Sequence, residues 1–150
     1  MMVNNISLII STFKREKQLN EIIKSLKNQL TNDLNLEIII CDSGSGYNIS
    51  NFDNLKENLT IKFFDIKKNI LSAKRNFGIF KATNNQIVLL DDDCIPENNF
   101  LKYYVEEFRN IDEKTILSGV VKYPSEYIKK NNYIKFRNSK HFKHNEINKK

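Results

Sequence analysis

The stretch QIVLLDDDCIPENNF, residues 86–100, places three carboxylates in a row, Asp91, Asp92 and Asp93, directly after a run of aliphatics. Two unit charges about 5 Å apart repel by roughly 3 kcal/mol at an effective dielectric near 20. Nothing basic lies within several residues to relieve them. A divalent cation removes that cost, and carboxylate oxygens are the ligands that Mg²⁺ or Mn²⁺ prefers. Ions of this kind commonly bind through one or two carboxylates and complete their shell with substrate phosphates. A solvated acidic loop is the plain alternative, and the elements around the trio decide between the two.

Short β-rich runs alternate with helical patterns. ISLIIS (6–11), LEIIIC (36–41), TIKFFDI (60–66), QIVLL (86–90) and TILSGVV (115–121) read as five strands. Between Arg15 and Leu30, Leu19, Ile22, Ile23, Leu26 and Leu30 recur at helical spacing. Residues 72–83 read as a second helix, with Ser72 as its N-cap and Gly78 a weak point inside it. Pro96 opens a third helix whose buried face is Phe100, Leu101, Tyr104, Val105 and Phe108. A short amphipathic helix is expected around Tyr127 to Phe136. Continuously aliphatic strands alternating with helices indicate a mostly parallel sheet covered on both faces, a doubly wound, Rossmann-like α/β fold.

In such a sheet, ligands bind outside the carboxyl ends of the strands. Three polar clusters fall there: Ser11-Thr12-Phe13 after the first strand, Asp42-Ser43-Gly44-Ser45 after the second, and Asp91-Asp92-Asp93 after the fourth. Parallel strands put all three on one rim, which favours a metal–phosphate site over a solvated loop. Phosphate cradles of the Walker or GxGxxG kind are excluded, because the turn after the first strand reads STFKRE and holds no glycine. Phosphates must then be held by metal and by side-chain cations, for which Lys74 and Arg75 are the candidates.

Composition sets the class. The 150 residues, 40% hydrophobic and 28% charged, suit one soluble globular domain. No apolar run approaches the roughly 20 residues that cross a bilayer, and the N-terminus lacks a basic n-region, so no signal peptide is read and the cytoplasm is expected. Cys41 and Cys94 have no zinc spacing and read as buried thiols. Residues 1–120 carry 15 Lys and Arg against 16 Asp and Glu, whereas 121–150 carry 9 against 2. The basic segment suits an anionic surface such as the inner membrane face, or reflects the Lys/Asn/Ile drift of an AT-rich genome. Nucleic acid is not expected as a partner.

SLIISTFKREKQLNEIIKSLKNQ, LEIIICDSGSG and NILSAKRNFGIFKATNNQIVLLDDDCIP resemble, in order and spacing, the family 2 glycosyltransferases of GT-A type over residues 5–121. The resemblance implies metal-assisted transfer of a sugar, with inversion, from a nucleoside-diphosphate sugar to a glycan or lipid-linked acceptor, as in polysaccharide biosynthesis. It implies that Ser11, Thr12 and Phe13 line the nucleoside pocket and that Asp42 and Ser43 face the base and ribose. Arg75 then sits near the diphosphate, Asp91 and Asp92 face the ribose, and Asp93, with Asp91, holds Mn²⁺ or Mg²⁺. Ser43 stands where the family often has a second acid, which leaves a UDP-sugar favoured and a dTDP-sugar the second choice. Lys14 stands where Asn is frequent.

The resemblance also implies a carboxylate base in an acceptor half, but beyond Val121 the only acids are Glu126 and Glu146, and neither falls in a recognisable base motif. No catalytic residue is named. Residues 1–121 are expected to form the donor-binding core and 122–150 the start of an acceptor half. The alternative is a donor-binding module with no transferase activity by itself.

Overall fold

The structure, a computed structural model, describes residues 4–44 and 56–141, without the side chains of residues 140 and 141. In chain order the elements are β1 (Asn4–Thr12), α1 (Glu16–Asn28), β2 (Leu34–Asp42), β3 (Leu59–Asp65), α2 (Leu71–Lys81), β4 (Gln86–Asp91), α3 (Phe100–Phe108), α4 (Ser125–Lys130) and α5 (Asn132–His141). They fall into two compact units, Met1–Glu113 and Lys114–Lys150.

The first unit is built on one sheet of order β3-β2-β1-β4, with every pairing parallel. β1 and β2 are central and buried over most of their length, which is why their middles are mainly aliphatic, with Ser7 and Glu37 as buried polar exceptions. Because successive side chains point to opposite faces, Ile6, Leu8 and Ile10 of β1 and Leu36, Ile38 and Ile40 of β2 pack under α1 and α3. Leu19, Ile22, Ile23 and Leu26 of α1 are fully buried against them. Each such burial contributes about 1.5–3 kcal/mol. Leu101 and Val105 seat α3 on the same face, flanked by Phe100, Tyr104 and Phe108. The opposite face, built on Ile9, Ile39 and Cys41, takes Phe77 of α2 together with Phe64 and Ile66. Helices thus cover both faces of a parallel sheet, as expected.

Gly78 explains how close α2 comes. A Cβ at this position would sit 2.4 Å from Ile9 Cγ2 and 3.4 Å from Cys41 Sγ. The glycine read from the sequence as a weak point is the place where the helix touches β1.

A buried carboxylate ties the far end of the same helix. Glu37, on β2, accepts hydrogen bonds from Ser7 Oγ of β1, Lys62 Nζ of β3 and the Thr83 backbone N–H just past α2. Asn84 adds its own N–H and its side-chain amide to Ser7 Oγ, at 3.2 and 3.1 Å. Burial pushes the Glu37 carboxyl up, but the hydrogen bonds from Lys62, Ser7 and Thr83 outweigh it and hold it below its ordinary value of 4.5.

Four expectations need correction. Residues 115–121 form no strand and Ile116 is 94% exposed. An apolar run has strand propensity, but only a ladder partner makes it a strand. The second helix starts at Leu71 with Ile70 in the N-cap position, so Ser72 lies inside its first turn. Pro96 lies in the irregular run before α3, its carbonyl accepting from Ser25 Oγ of α1 at 3.1 Å, and the helix starts only at Phe100. The helix expected around Tyr127 to Phe136 is two, broken at Asn131, and its aromatics Tyr127, Tyr133 and Phe136 are exposed.

Two outcomes are expected. Gly78→Ala gains helix propensity of about 1 kcal/mol but forces α2 off Ile9, for a net loss of about 1–2 kcal/mol in urea unfolding. Glu37→Ala costs about 2 kcal/mol near neutral pH, because Ser7 and Thr83 N–H lose a buried partner. A carboxyl whose folded-state pKa is depressed contributes its full stability above 4.5 and loses it as the pH falls through the lower folded value. Urea titrations between about pH 3 and 7 should therefore show wild type and Glu37→Ala converging at the acid end.

Candidate functional site

Parallel strands end on one side, so the carboxyl ends of β1, β2 and β4 share an edge. Register fixes which residues meet. Ser11 pairs with Cys41 on one side and Asp91 on the other, and Thr12 pairs with Asp42, which pairs in turn with Asp65 of β3. The clusters read from the first, second and fourth strands therefore do converge, except that Ser45 lies outside the described residues.

Ser11, Thr12 and Asp42 are buried at this edge. Ser11 Oγ and Thr12 Oγ1 have no hydrogen-bond partner among the described residues. Each such hydroxyl costs about 1–3 kcal/mol relative to a satisfied one. As consecutive residues of β1 they lie on opposite faces of the sheet at its carboxyl edge, and a buried polar atom without a partner is a feature that calls for explanation. Phe13, next in the chain, is 41% exposed, with the Lys14 ammonium 5.3 Å from its ring centroid.

The turns that carry these groups are pressed together. Lys14 has φ 54°, a left-handed conformation that Asn adopts far more readily than Lys. A Cβ on Gly44 would come within 2.8 Å of Lys14 Cγ and 2.9 Å of its backbone nitrogen. Only glycine allows this approach. Asp42 closes the β2 turn by accepting the Gly44 N–H on Oδ1 at 3.0 Å. Ser43 Oγ donates to Asn69 Oδ1 at 3.0 Å.

Lys74, expected to face phosphate, turns inward instead. It is buried, and its three ammonium protons are matched by the Thr12 carbonyl at 2.7 Å, Asn69 Oδ1 at 2.8 Å and Ser43 Oγ at 3.2 Å. Burial holds its pKa below the ordinary 10.5, opposed by Asp42, Asp92 and Cys41. Lys74 is thus a clamp between the ends of β1 and β2 and the start of α2, with no donor left over for a phosphate. Cys41 is buried as the sequence suggested, whereas Cys94 is only partly buried. Burial pushes Cys41 up to about 11, and burial with the nearby aspartates raises Cys94.

The repulsion among the three aspartates is relieved from far along the chain. Arg75 of α2 pairs with Asp91. Arg15 Nη1 lies 2.9 Å from Asp92 Oδ1 and 3.3 Å from Asp93 Oδ2. Asp92 is largely covered, at 14% side-chain exposure, while Asp93 is open at 64%. Arg15, Asn69 and Asp65 were not singled out in the sequence. The signal for Arg15 was its place in STFKRE, three residues past Thr12 and so on the same rim.

Among the described residues no group of three or more His, Cys, Asp or Glu side chains is placed to hold a metal ion by itself. Asp91, Asp92 and Asp93 offer an open row of hard oxygens instead. An ion of magnesium type held here would take one or two of these carboxylates and complete its shell with phosphate and water, whereas a structural zinc would need a closed set of ligands.

Comparison with known proteins agrees with this geometry. Residues 7–150 match the Glycosyl transferase family 2. A chondroitin synthase of Escherichia coli is 31% identical over 145 residues, covering 93% of this chain, although the chain spans only 20% of that protein. Among solved structures, residues 1–349 of S. aureus TarS in complex with UDP-GlcNAc superpose with a TM-score of 0.59 at 19% identity, over 71% of this chain and 31% of that one. The mannosyltransferase PcManGT from Pyrobaculum calidifontis, in complex with GDP-Man and Mn²⁺, superposes with a TM-score of 0.55 at 16% identity, over 67% and 31%. The four-stranded parallel sheet with its acidic rim, and a family match running from Ser7 to the last residue, lead to one conclusion: this chain belongs to glycosyl transferase family 2.

Proposed function

We propose that this chain is the donor-binding part of a glycosyltransferase, in which the rim holds a nucleoside-diphosphate sugar while an acceptor hydroxyl attacks its anomeric carbon. The observation that carries the reading is the pair of buried, unpartnered hydroxyls of Ser11 and Thr12 beside the carboxylate row. The complexes of TarS with UDP-GlcNAc and of PcManGT with GDP-Man and Mn²⁺ support the same ligand class.

Ser11 and Thr12 hydrogen-bond the nucleoside, and the exposed ring of Phe13 stacks near the base. Asp42 and Ser43 bound the base and ribose, with Asp42 held in place by the Gly44 N–H. Arg75, paired with Asp91 at the start of α2, contacts the diphosphate, and Asp91 and Asp92 face the ribose. Asp93, with Asp91, would hold Mn²⁺ or Mg²⁺, an ion that supplies Lewis-acid neutralisation of the charge on the departing diphosphate. In an inverting transfer the new bond forms from the acceptor oxygen to the anomeric carbon as the bond to the diphosphate oxygen breaks. The hydroxyl proton passes to a base. UDP is the preferred nucleotide in this reading, and the acceptor is a glycan or a lipid-linked sugar, as in polysaccharide assembly. The basic residues after 121 supply peripheral contact with an anionic membrane face; no helix among the described residues is long and apolar enough to cross one.

A second reading is favoured by the scarcity of acids after Val121. Glu126 is exposed on α4, and Glu146 lies outside the described residues. On that reading the chain binds donor and does not transfer. A radiolabelled UDP-sugar assay separates the two readings, because hydrolysis or transfer by the chain excludes the binding module.

Calorimetry should show UDP binding strengthened by Mn²⁺, and Asp93→Ala should abolish that dependence. A UDP titration indifferent to metal in the wild-type chain counts against the reading. Thr12→Val removes a hydroxyl that has no partner among the described residues, so thermal stability should stay level or rise slightly. UDP affinity should fall about tenfold in the same variant, the equivalent of one hydrogen bond.

A further inference from the structure

We infer that Arg15 is a resident counter-ion of Asp92 and Asp93, one that competes with the divalent cation for these carboxylates and couples its binding to that of the diphosphate. The inference rests on the donor-binding reading and adds a residue that reading does not use.

The geometry is specific. A single guanidinium nitrogen, Arg15 Nη1, spans both carboxylates, at 2.9 Å from Asp92 and 3.3 Å from Asp93. A guanidinium and a divalent ion cannot share those oxygens at contact distance without like-charge repulsion. Arg75 is engaged one residue earlier, on Asp91, so both halves of the row already carry positive partners.

The backbone under Arg15 is held by its neighbours, while its side chain is open to solvent on one side. Thr12 is buried in the sheet, Lys14 is held at φ 54° against Gly44, and Arg15 itself is the N-cap of α1. Its side chain is nevertheless 44% exposed, so the guanidinium can leave Asp92 and Asp93 without being dragged through an apolar layer. From a fixed root at the rim, its natural new partner is an anion bound at the same edge. Arginine matches phosphate oxygens through two parallel N–H donors.

Coupling follows from this exchange. With Arg15 as competitor, the cation alone binds weakly. A nucleoside diphosphate gives the released guanidinium somewhere to go, and each ligand then strengthens the other by the same factor.

The test is titration of Mn²⁺ alone, followed by electron paramagnetic resonance of the free ion, with and without UDP. Arg15→Gln should bind Mn²⁺ alone about fivefold more tightly than wild type, the scale of an exposed ion pair. The factor by which UDP strengthens Mn²⁺ should shrink in the same variant. Arg15→Lys keeps the charge and should stay within about twofold of wild type for Mn²⁺ alone. Unchanged or weaker Mn²⁺ binding by Arg15→Gln, with UDP coupling intact, overturns the role of Arg15 and leaves the donor site standing. Tightening by Arg15→Lys equal to that of Arg15→Gln also overturns it, since charge competition would not be the cause. Failure of the wild-type chain to bind Mn²⁺ even with UDP removes both the metal site and this inference.

Discussion

Three successive carboxylates at the end of a strand repel one another, and the fold of residues 4–113 is arranged so that cations from remote segments meet them. Arg15 arrives from the turn after β1, and Arg75 arrives from α2, 77 and 16 residues from their respective partners. Neither could reach the row unless β1 lay beside β4 and α2 lay flat on the sheet. The parallel register that sets Ser11 between Cys41 and Asp91 meets the first condition. The bare backbone of Gly78 against Ile9 meets the second.

Two buried charged groups hold α2 at opposite ends. Near its start, Lys74 spends all three protons on Thr12, Ser43 and Asn69, which draws the β1 and β2 turns towards the helix. Just beyond its end, Glu37 gathers Ser7, Lys62 and Thr83. Buried ions weaken a protein unless their hydrogen-bonding capacity is met, and both of these are met in full view of several strands. Glu37 acts as a register pin: a one-residue slip of β2 would turn it to the other face of the sheet, away from Ser7.

Much of this was legible in the sequence. The four strands, the helical stripe of α1 and the buried face of α3 follow from periodicity, since burial of β1 and β2 on both faces demands unbroken aliphatics. The convergence of the three clusters follows from parallel strands alone. What was not legible depends on contacts between distant segments. The run at 115–121 has the composition of a strand, yet strand formation is decided by the neighbour and not by the run itself. Lys74 and Arg75 are adjacent, and the sequence offers no reason to separate them. On a helix they point about 100° apart, and that turn sends one beneath the rim and the other onto it. The pairing of Arg15 with Asp92 and Asp93 was hidden for the same reason, being a property of the assembled sheet.

The two features of the rim call for different partners. The arginines show that the acidic row is not an electrostatic hole, because its charge is largely balanced within the chain. A cation must therefore displace a guanidinium, which makes the aspartates by themselves a poor argument for metal. The hydroxyls of Ser11 and Thr12 are the opposite case: buried, polar and with no partner among the described residues. They gain from a bound molecule without giving anything up. Valine or alanine at either position would leave no such atom unpaired, as Ile6, Leu8, Ile9 and Ile10 show earlier in β1. Two hydroxyls kept at the buried end of the central strand are therefore the stronger reason for reading this edge as a binding site, and the arginines on the acidic row set what charge a ligand there would have to match.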